Sequence, residues 1–361
     1  MALRTFRHPD PARSKTAIRP VFIPFLGCPS RCVYCSQHLL TGVGPVSLEE
    51  CYRTLEHTLR QAQQRAQNPM EIGFFGGTFT SLPDTWIERF LLLARKYSRQ
   101  GLITRVRCST RPDAVSRDKL LFLKELGLSM VEFGIQTFDD AVLKNSNRAY
   151  SAQAGIAACR LVKECGLALG IQLLPGLPGH SRRQWLLDVS IACDLLPEAV
   201  RLYPCLVLQG TVLEQLWKRG EYTPWGLEQT LFGLCLGVHA FWRQGIRVIR
   251  MGVAPEQNLG HHILAGPWHP ALGFIVRSRI LRTQVRYLAA ALSPAGRTLV
   301  VPERYLPEII GYKGEGRRAF TRGEGPERIF TWERDDFLLH DASPPGAESV
   351  LQSVSTFKRV V

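Results

Sequence analysis

Short apolar runs alternate with amphipathic stretches along the chain from about Pro20 onwards. Apolar runs bounded by turn residues are typical of buried strands, and apolar positions three or four residues apart are typical of helices that pack on a core. Regular alternation of the two predicts β/α units around a parallel sheet. The predicted strands are residues 20–24, 71–75, 105–109, 130–135, 168–173, 200–203 and 248–251.

Helical periodicity fills the gaps between these strands. The predicted helices are residues 48–66, 84–99, 116–126, 151–165 and 182–195. Ser47, Asp84 and Ser151 are predicted N-caps, because their side chains accept hydrogen bonds from free backbone amides. About six such units in roughly 250 residues predict an α/β fold, a partial (β/α)6-type TIM barrel with its chemistry at the C-terminal ends of the strands.

The pattern changes after about Arg282, where shorter elements follow one another. The predicted elements there are a strand at 298–301, helices at 304–310 and 316–321, and strands at 328–333 and 337–340, followed by a Ser/Pro/Gly-rich segment at 342–347. We therefore expect an N-terminal extension (1–19), a core barrel (20–281) and a small C-terminal α+β module (282–361).

The 361 residues carry 45 basic and 31 acidic side chains, a net charge of +14. Residues 281–361 are nearly balanced, with 12 basic and 10 acidic residues, so the excess lies in the larger part of the chain. The positive electrostatic field of such a chain attracts anions, including RNA. The polar first fifteen residues lack the apolar stretch of a signal peptide, and the apolar window at 230–242 is shorter than the ~18 residues of a membrane span. We expect a cytoplasmic protein without a membrane segment.

Three of the ten cysteines are spaced closely, in the segment CPSRCVYC that follows the first predicted strand. Three thiolates from Cys28, Cys32 and Cys35 can hold three corners of a cubane iron–sulfur cluster and leave the fourth iron open. His38 follows three residues later, so a Cys₃His zinc site is the alternative. The other seven cysteines are scattered and are expected to be small buried hydrophobic residues.

This cysteine spacing, with Tyr34 before the last cysteine, resembles the radical S-adenosylmethionine (SAM) superfamily. The resemblance implies a [4Fe–4S] cluster whose open iron binds SAM. It also implies reductive cleavage of SAM to a 5′-deoxyadenosyl radical that abstracts hydrogen from the substrate. The electron is then expected from a reduced donor of the flavodoxin or ferredoxin type.

The later motifs supply a SAM site by the same resemblance. Gly76 and Gly77 in GFFGGTFTSLP allow close backbone approach, and with Thr78 they resemble the superfamily's second-strand motif. Gln136 in VEFGIQTFDD and Gln172 in IQLLPGLPG are implied ribose contacts. Arg148 in NSNRAY is the implied partner of the SAM carboxylate.

Further strand ends supply candidates for the rest of the pocket. They are Tyr203, Gln209 and Arg250. A stretch from 260 to 273 carries His261, His262 and His269, and it is expected either to close the substrate end or to pack as an ordinary loop.

Taken together, the motifs over residues 20–281 resemble the Elongator catalytic subunit, and more distantly oxygen-independent coproporphyrinogen oxidase. The residues after the barrel are too few for an acetyltransferase domain, so we do not expect complete Elongator chemistry. The favoured substrate is RNA, in particular tRNA. The alternatives are an anaerobic oxidase or decarboxylase of an anionic small molecule such as a porphyrin, and a zinc-bearing RNA-binding module.

A second motif for nucleic acid lies in the C-terminal part, in PEIIGYKGEGRRAF. It resembles the GXXG loop of KH domains, which clamps a nucleic-acid backbone. The resemblance implies a nucleic-acid contact by Gly311, Lys313, Gly314, Arg317 and Arg318. An ordinary helix–helix turn is the alternative.

Overall fold

The computed structural model describes residues 3–11, 16–253, 259–292, 297–323, 325–341 and 358–359. In chain order the described strands are β1 (Leu3–Arg7), β2 (Ala17–Phe22), β3 (Met70–Phe75), β4 (Ile103–Thr110), β5 (Met130–Gln136), β6 (Ala168–Leu173), β7 (Ala199–Leu202), β8 (Val207–Leu208), β9 (Arg247–Met251), β10 (Ile263–Ala265), β11 (Thr298–Pro302), β12 (Arg328–Trp332), β13 (Asp336–His340) and β14 (Lys358–Arg359). The predicted segment at 342–347 lies outside the described residues.

The described helices follow the predicted amphipathic stretches. They are α1 (Gln37–Thr41), α2 (Leu48–Gln64), α3 (Asp84–Arg99), α4 (Arg117–Glu125), α5 (Asp140–Asn145), α6 (Ala152–Glu164), α7 (Arg182–Asp194), α8 (Val212–Lys218), α9 (Leu227–Arg243), α10 (Leu259–His262), α11 (Leu272–Ala289), α12 (Leu306–Ile310) and α13 (Glu315–Thr321). None of the helices in the described part of the chain is long and apolar enough to cross a membrane.

The chain forms two compact units. The larger comprises Ala12–Gly233 and Gln244–Pro270, and the smaller comprises Met1–Pro11, Leu234–Arg243 and Ala271–Val361. These bounds differ from the expected ones, because the first residues and the helix beginning at Leu272 group with the C-terminal part. The domain boundaries at 19/20 and 281/282 stay predictions.

The larger unit is built on a curled sheet of seven parallel strands in the order β2-β3-β4-β5-β6-β7-β9. This half-barrel confirms the predicted α/β class. Fully buried side chains such as Ile72, Phe74 and Phe133 fill the strand interiors, which explains why the strands read as apolar runs. Because the strands are parallel, all their C-terminal ends lie at one edge of the sheet.

Two of the three predicted N-caps are confirmed. The Ser47 side chain accepts from the Glu50 amide in a capping box, and the Ser151 side chain accepts from the Ala154 amide. The prediction for Asp84 is wrong: Pro83 occupies the cap position and Asp84 is the first helical residue, where its carboxylate pairs with Lys119.

The smaller unit contains a five-stranded sheet in the order β1-β13-β11-β12-β14. Residues 3–7, expected to be part of an extension, form β1 and pair antiparallel with β13. The parallel strands β11 and β12 are connected through α12, the GYKG turn and α13. Leu281, Val301, Ile309 and Phe337 belong to its apolar core.

Candidate active site

Backbone hydrogen bonds attach the cysteine loop to the end of β3. The amide of Ile23 donates to the Phe75 carbonyl at 2.8 Å, the amide of Phe25 to the Gly76 carbonyl at 2.9 Å, and the amide of Thr78 to the Leu26 carbonyl at 2.9 Å. The carbonyl of Gly76 therefore already accepts one hydrogen bond from the protein.

Gly77 is required by this close approach of two chain segments. A Cβ atom at this position would lie 2.3 Å from the Leu26 carbonyl oxygen and 2.6 Å from that of Ile23. Both contacts are far inside van der Waals distance, and both are to backbone. Any other residue would push the cysteine loop away from β3.

Each cysteine sulfur of the loop has its own polar neighbour. Cys28 Sγ lies 3.3 Å from Thr78 Oγ1, Arg148 Nη1 donates to Cys32 Sγ at 3.2 Å, and Gln37 Nε2 donates to Cys35 Sγ at 3.4 Å. Burial raises the pKa of the Cys35 thiol to about 12. Hydrogen-bond donors around thiolate sulfurs are a feature of iron–sulfur sites, so this donor set fits a cluster.

The zinc alternative fits the geometry less well. Among the described residues, no three His, Cys, Asp or Glu side chains converge on a point that would hold one metal ion. His38 Nδ1 lies 3.1 Å from the Val43 carbonyl, and its ring packs edge-on against Phe25. In a cubane cluster each cysteine binds a different iron, so the three sulfurs need not converge.

One cavity of about 560 Å³ lies at the C-terminal ends of the strands. The structure brings to its wall every residue predicted for the cluster and for SAM, namely Cys28, Cys32, Cys35, Gly76, Gly77, Thr78, Gln136, Arg148 and Gln172. The parallel sheet explains this, because the segments that follow each strand meet at one edge.

Gln136 has two features of a ligand-binding residue. Its backbone is in the left-handed region at φ 71°, which is uncommon for a residue other than glycine. Its side chain is 5% exposed, and its amide oxygen Oε1 has no hydrogen-bond partner. Orphaned buried acceptors are rare in folded proteins, so this atom fits a donor supplied by a ligand, such as a ribose hydroxyl.

Arg148 connects the cysteine loop with β5. Besides Cys32, its guanidinium donates to the Gly134 carbonyl and, at 2.9 Å, to the Tyr150 hydroxyl. Burial alone disfavours its charge, but the neighbouring tyrosines and Cys32 raise the pKa of Arg148. Neither Tyr150 nor the sulfur contact is predicted from the sequence, in which the only signal is that the tyrosine follows Arg148 by two residues.

Four charged side chains form a ladder across the inside of the sheet. Arg107 on β4 pairs with Glu71 on β3 and, at 3.1 Å, with Glu132 on β5. Glu132 also accepts from Arg201 Nε on β7 at 2.5 Å, and Arg201 lies over the ring of Phe75. The sequence signal, which was not used, is charge within strands that otherwise read as apolar.

Of the three further pocket candidates, two line the cavity and one does not. Tyr203 and Arg250 line the cavity, but the prediction for Gln209 is wrong. Its side-chain oxygen lies 2.9 Å from His262 Nδ1, next to the short pairing of β8 with β10. Among the described residues that line the cavity, none is a histidine of the 260–273 stretch.

The GYKG motif forms the turn between α12 and α13. Gly311 is buried at φ 77°, and a Cβ atom there would lie 3.0 Å from Arg282 Nη1. Gly314 also has a positive φ, of 73°. The side chains of Lys313, Arg317 and Arg318 are exposed, and Arg318 Nη1 donates to the Lys313 carbonyl at 2.6 Å. Close packing therefore explains Gly311, while the basic residues face solvent.

Comparison with known proteins defines the class of this site. The profile of the Radical SAM superfamily matches residues 22–188, and that of the Radical_SAM C-terminal domain matches residues 197–282. The chain belongs to the radical SAM superfamily and is an enzyme, which excludes the non-enzymatic zinc module.

Its relatives agree with the Elongator-like branch. The chain is 31% identical over 182 residues to a tRNA uridine(34) acetyltransferase of Methanocaldococcus infernus, covering 45% of this chain and 34% of that protein. It is 27% identical over 275 residues to one from Dehalococcoides mccartyi, covering 66% and 60%. The solved archaeal Elp3 of Methanocaldococcus infernus shares the fold, with a TM-score of 0.56 and 22% identity over 75% of this chain and 64% of that one. The chain thus spans between about a third and three-fifths of the two curated relatives.

Proposed function

We propose that this protein is a radical SAM enzyme that modifies RNA, with tRNA as the favoured substrate. The observation that carries the radical chemistry is that one and the same cavity is lined by three cysteines, a two-glycine turn and two glutamines from successive strands. The relatives named as tRNA uridine(34) acetyltransferases and the net charge of +14 support the choice of substrate.

The proposed roles follow the positions of the residues. Cys28, Cys32 and Cys35 hold the [4Fe–4S] cluster. When bound, the cluster and SAM supply one electron and a 5′-deoxyadenosyl radical, which takes a hydrogen atom from the substrate. Gln136 and Gln172 bind the ribose of SAM, and Arg148 orients its carboxylate. Gly76, Gly77 and Thr78 hold its amino end.

Arg148 has a second role in this proposal. Its guanidinium is already bonded to Cys32, Gly134 and Tyr150, so its position is set before any ligand arrives. A pre-positioned cation next to the cysteine loop would bring the carboxylate of SAM close to the cluster without a conformational search.

We further propose that the exposed Lys313, Arg317 and Arg318 contact the nucleic-acid backbone, with Gly311 and Gly314 shaping the turn. The helix–GYKG–helix connection between parallel strands supports this role. The double variant Lys313→Gln/Arg317→Gln should bind unfractionated tRNA more weakly, with a salt dependence reduced by about 0.9 per lost phosphate contact. Arg304→Gln with Arg334→Gln removes the same charge elsewhere in the smaller unit and is the control.

The proposed environment is the reducing cytoplasm, with a flavodoxin- or ferredoxin-type protein as electron donor. None of the ten cysteines forms a disulfide in the structure, which is compatible with a reducing environment.

The first experiment is the formation of 5′-deoxyadenosine from SAM by the anaerobically reconstituted, reduced protein. The parent should form it, and Cys32→Ala should not. Cys193→Ala, which removes a cysteine outside the cavity, should behave as the parent. Iron should amount to about four atoms per chain, as for one cluster.

Adding unfractionated tRNA should raise the rate of SAM cleavage. If coproporphyrinogen raises it and tRNA does not, the small-molecule alternative replaces the RNA proposal. If a protein fully loaded with iron and sulfide forms no product under any of these conditions, the radical proposal itself fails.

A further inference from the structure

The cavity wall is unusually rich in arginine. Five arginines line it, Arg31, Arg111, Arg148, Arg201 and Arg250, and among the described residues of the wall there is no Asp or Glu. Arg111 is paired with Asp113 and Arg201 with Glu132, while Arg148 is bonded to Cys32. The wall therefore keeps positive charge that the described protein residues do not neutralise.

Arg250 is a cation of this wall that has neither a carboxylate nor a cysteine sulfur as a partner among the described residues. It is only partly exposed, near the end of β9, and its Nε donates a hydrogen bond to the Gly252 carbonyl at 3.3 Å. No carboxylate in the described part of the chain pairs with it. A half-buried guanidinium with most of its donors unused is a ready partner for an oxyanion.

A β-bulge places Arg250 beside Arg201. The pairing of β7 with β9 runs from Val200 opposite Val248 to Arg201 opposite Arg250, so Ile249 is the extra residue. Without the bulge Arg201 would face Ile249, and Arg250 would point to the other face of the sheet. Bulges often redirect a side chain next to an active site.

The same register continues into the SAM site. Gly134 on β5 is opposite Gln172 on β6, and Gln172 is opposite Arg201 on β7. Gln172, Arg201 and Arg250 thus form one row, about 4.8 Å from strand to strand. Arg250 lies two strands beyond Gln172, the last proposed SAM contact of the row.

The charge ladder explains why Arg250 rather than Arg201 is available. Glu71 and Glu132 balance Arg107 and Arg201, so Arg250 is the excess cation of the row. SAM carries one carboxylate, for which Arg148 is proposed. With the carboxylate of SAM at Arg148, as proposed, Arg250 is left for an anion of the substrate.

We infer that Arg250, with Arg201 beside it, forms a subsite for an oxyanion of the substrate, and that this oxyanion is a phosphate next to the reacting nucleotide. The inference rests on the proposed function. A carboxylate of a small molecule shares this chemistry, and the experiment separates the two sources.

The test compares the anaerobically reconstituted parent, Arg250→Gln and Arg247→Gln, each with SAM present. Arg247 lies on the same strand and loses the same charge, but it pairs with Glu198 and does not line the cavity. Binding of unfractionated tRNA is measured over a series of salt concentrations, and SAM binding is measured separately.

Arg250→Gln should bind tRNA roughly tenfold more weakly, as expected for one charge-assisted contact, with a salt slope lower by about 0.9. Arg247→Gln should match the parent, and all three should bind SAM equally. Equal tRNA binding by the two variants overturns the inference, as does weaker SAM binding by Arg250→Gln.

Coproporphyrin III, a tetracarboxylate, is the second probe. If the parent binds coproporphyrin III more tightly than Arg250→Gln does, and does not bind tRNA, the anion subsite is supported and the RNA function fails. A parent that binds neither polyanion overturns both.

Discussion

Arg148 Nη1 donates a hydrogen bond to the sulfur of Cys32 at 3.2 Å. The two residues are separated by 116 positions in the chain, and the contact brings a buried cation to one corner of the cysteine loop. A donor at a ligand sulfur stabilises negative charge there, and hydrogen bonds to sulfur are among the factors that set the potential of an iron–sulfur cluster.

Arg148→Gln should therefore lower the reduction potential of the cluster. A hydrogen bond to a charged group contributes about 1.5–3 kcal/mol, which corresponds to about 60–130 mV for one electron. An anaerobic redox titration followed by electron paramagnetic resonance measures this shift. Tyr150→Phe leaves the Cys32 contact in place and should shift the potential much less; equal potentials for Arg148→Gln and the parent would contradict the role.

Gly77→Ala should separate the cysteine loop from β3. The added Cβ atom meets two carbonyl oxygens at 2.3 and 2.6 Å, so backbone must move, at a cost of about 1–3 kcal/mol. We expect a lower melting temperature and loss of bound iron after reconstitution. Gly44→Ala is the control, because a Cβ atom there has nothing within 4 Å; a Gly77→Ala protein that retains full iron would refute the explanation.

Glu132→Gln should destabilise the larger unit strongly, because it leaves the buried Arg107 and the partly buried Arg201 with less negative charge. Breaking a buried ion pair typically costs about 3–5 kcal/mol. Glu198→Gln breaks the more exposed pairs with Arg105 and Arg247 and should cost about 1 kcal/mol or less. Urea denaturation measures both free energies of unfolding, and similar losses would show that burial of the ladder does not matter.

Most of the fold and of the candidate site was predictable from the sequence. Apolar periodicity located every strand of the half-barrel to within a few residues, because the central strands are buried on both faces and read as apolar runs. The order of motifs then located the cavity wall, since parallel strands deliver their following segments to one edge.

What the sequence did not reveal are contacts between positions far apart in the chain. The pairing of β1 with β13 joins residues more than 300 positions apart, and the β1 sequence LRTFR does not indicate which strand it pairs with. The Cys32–Arg148 contact and the bulge at Ile249 depend on how segments from different parts of the chain pair with one another. The apolar periodicity within one segment carries no information about such pairing.

Glu308 makes the stability of the smaller unit depend on pH in the acidic range. Burial alone raises the pKa of Glu308, but the hydrogen bond from His8 and the charge of Arg277 outweigh it and hold the pKa below the usual 4.5. A carboxyl with a depressed pKa stabilises the fold above the pKa of the unfolded chain, and this stabilisation is lost as the pH falls through the folded-state value.

Glu308→Gln should therefore be less stable than the parent at neutral pH, by about 1–3 kcal/mol. It should also lose less stability than the parent when the pH falls below 4.5. Chemical denaturation across this range measures the difference, with Glu303→Gln, which is exposed, as the control. Parallel acid profiles for Glu308→Gln and the parent would count against this network.

The charge ladder of Glu71, Arg107, Glu132 and Arg201 also has a thermal consequence. Water solvates ions less favourably as temperature rises, so the penalty for burying these four groups falls on heating, while the gain from apolar burial levels off. The free-energy cost of burying the ladder is therefore smallest when the protein is warm. Its share of the stability of the half-barrel therefore grows with temperature, and the ladder contributes least in the cold.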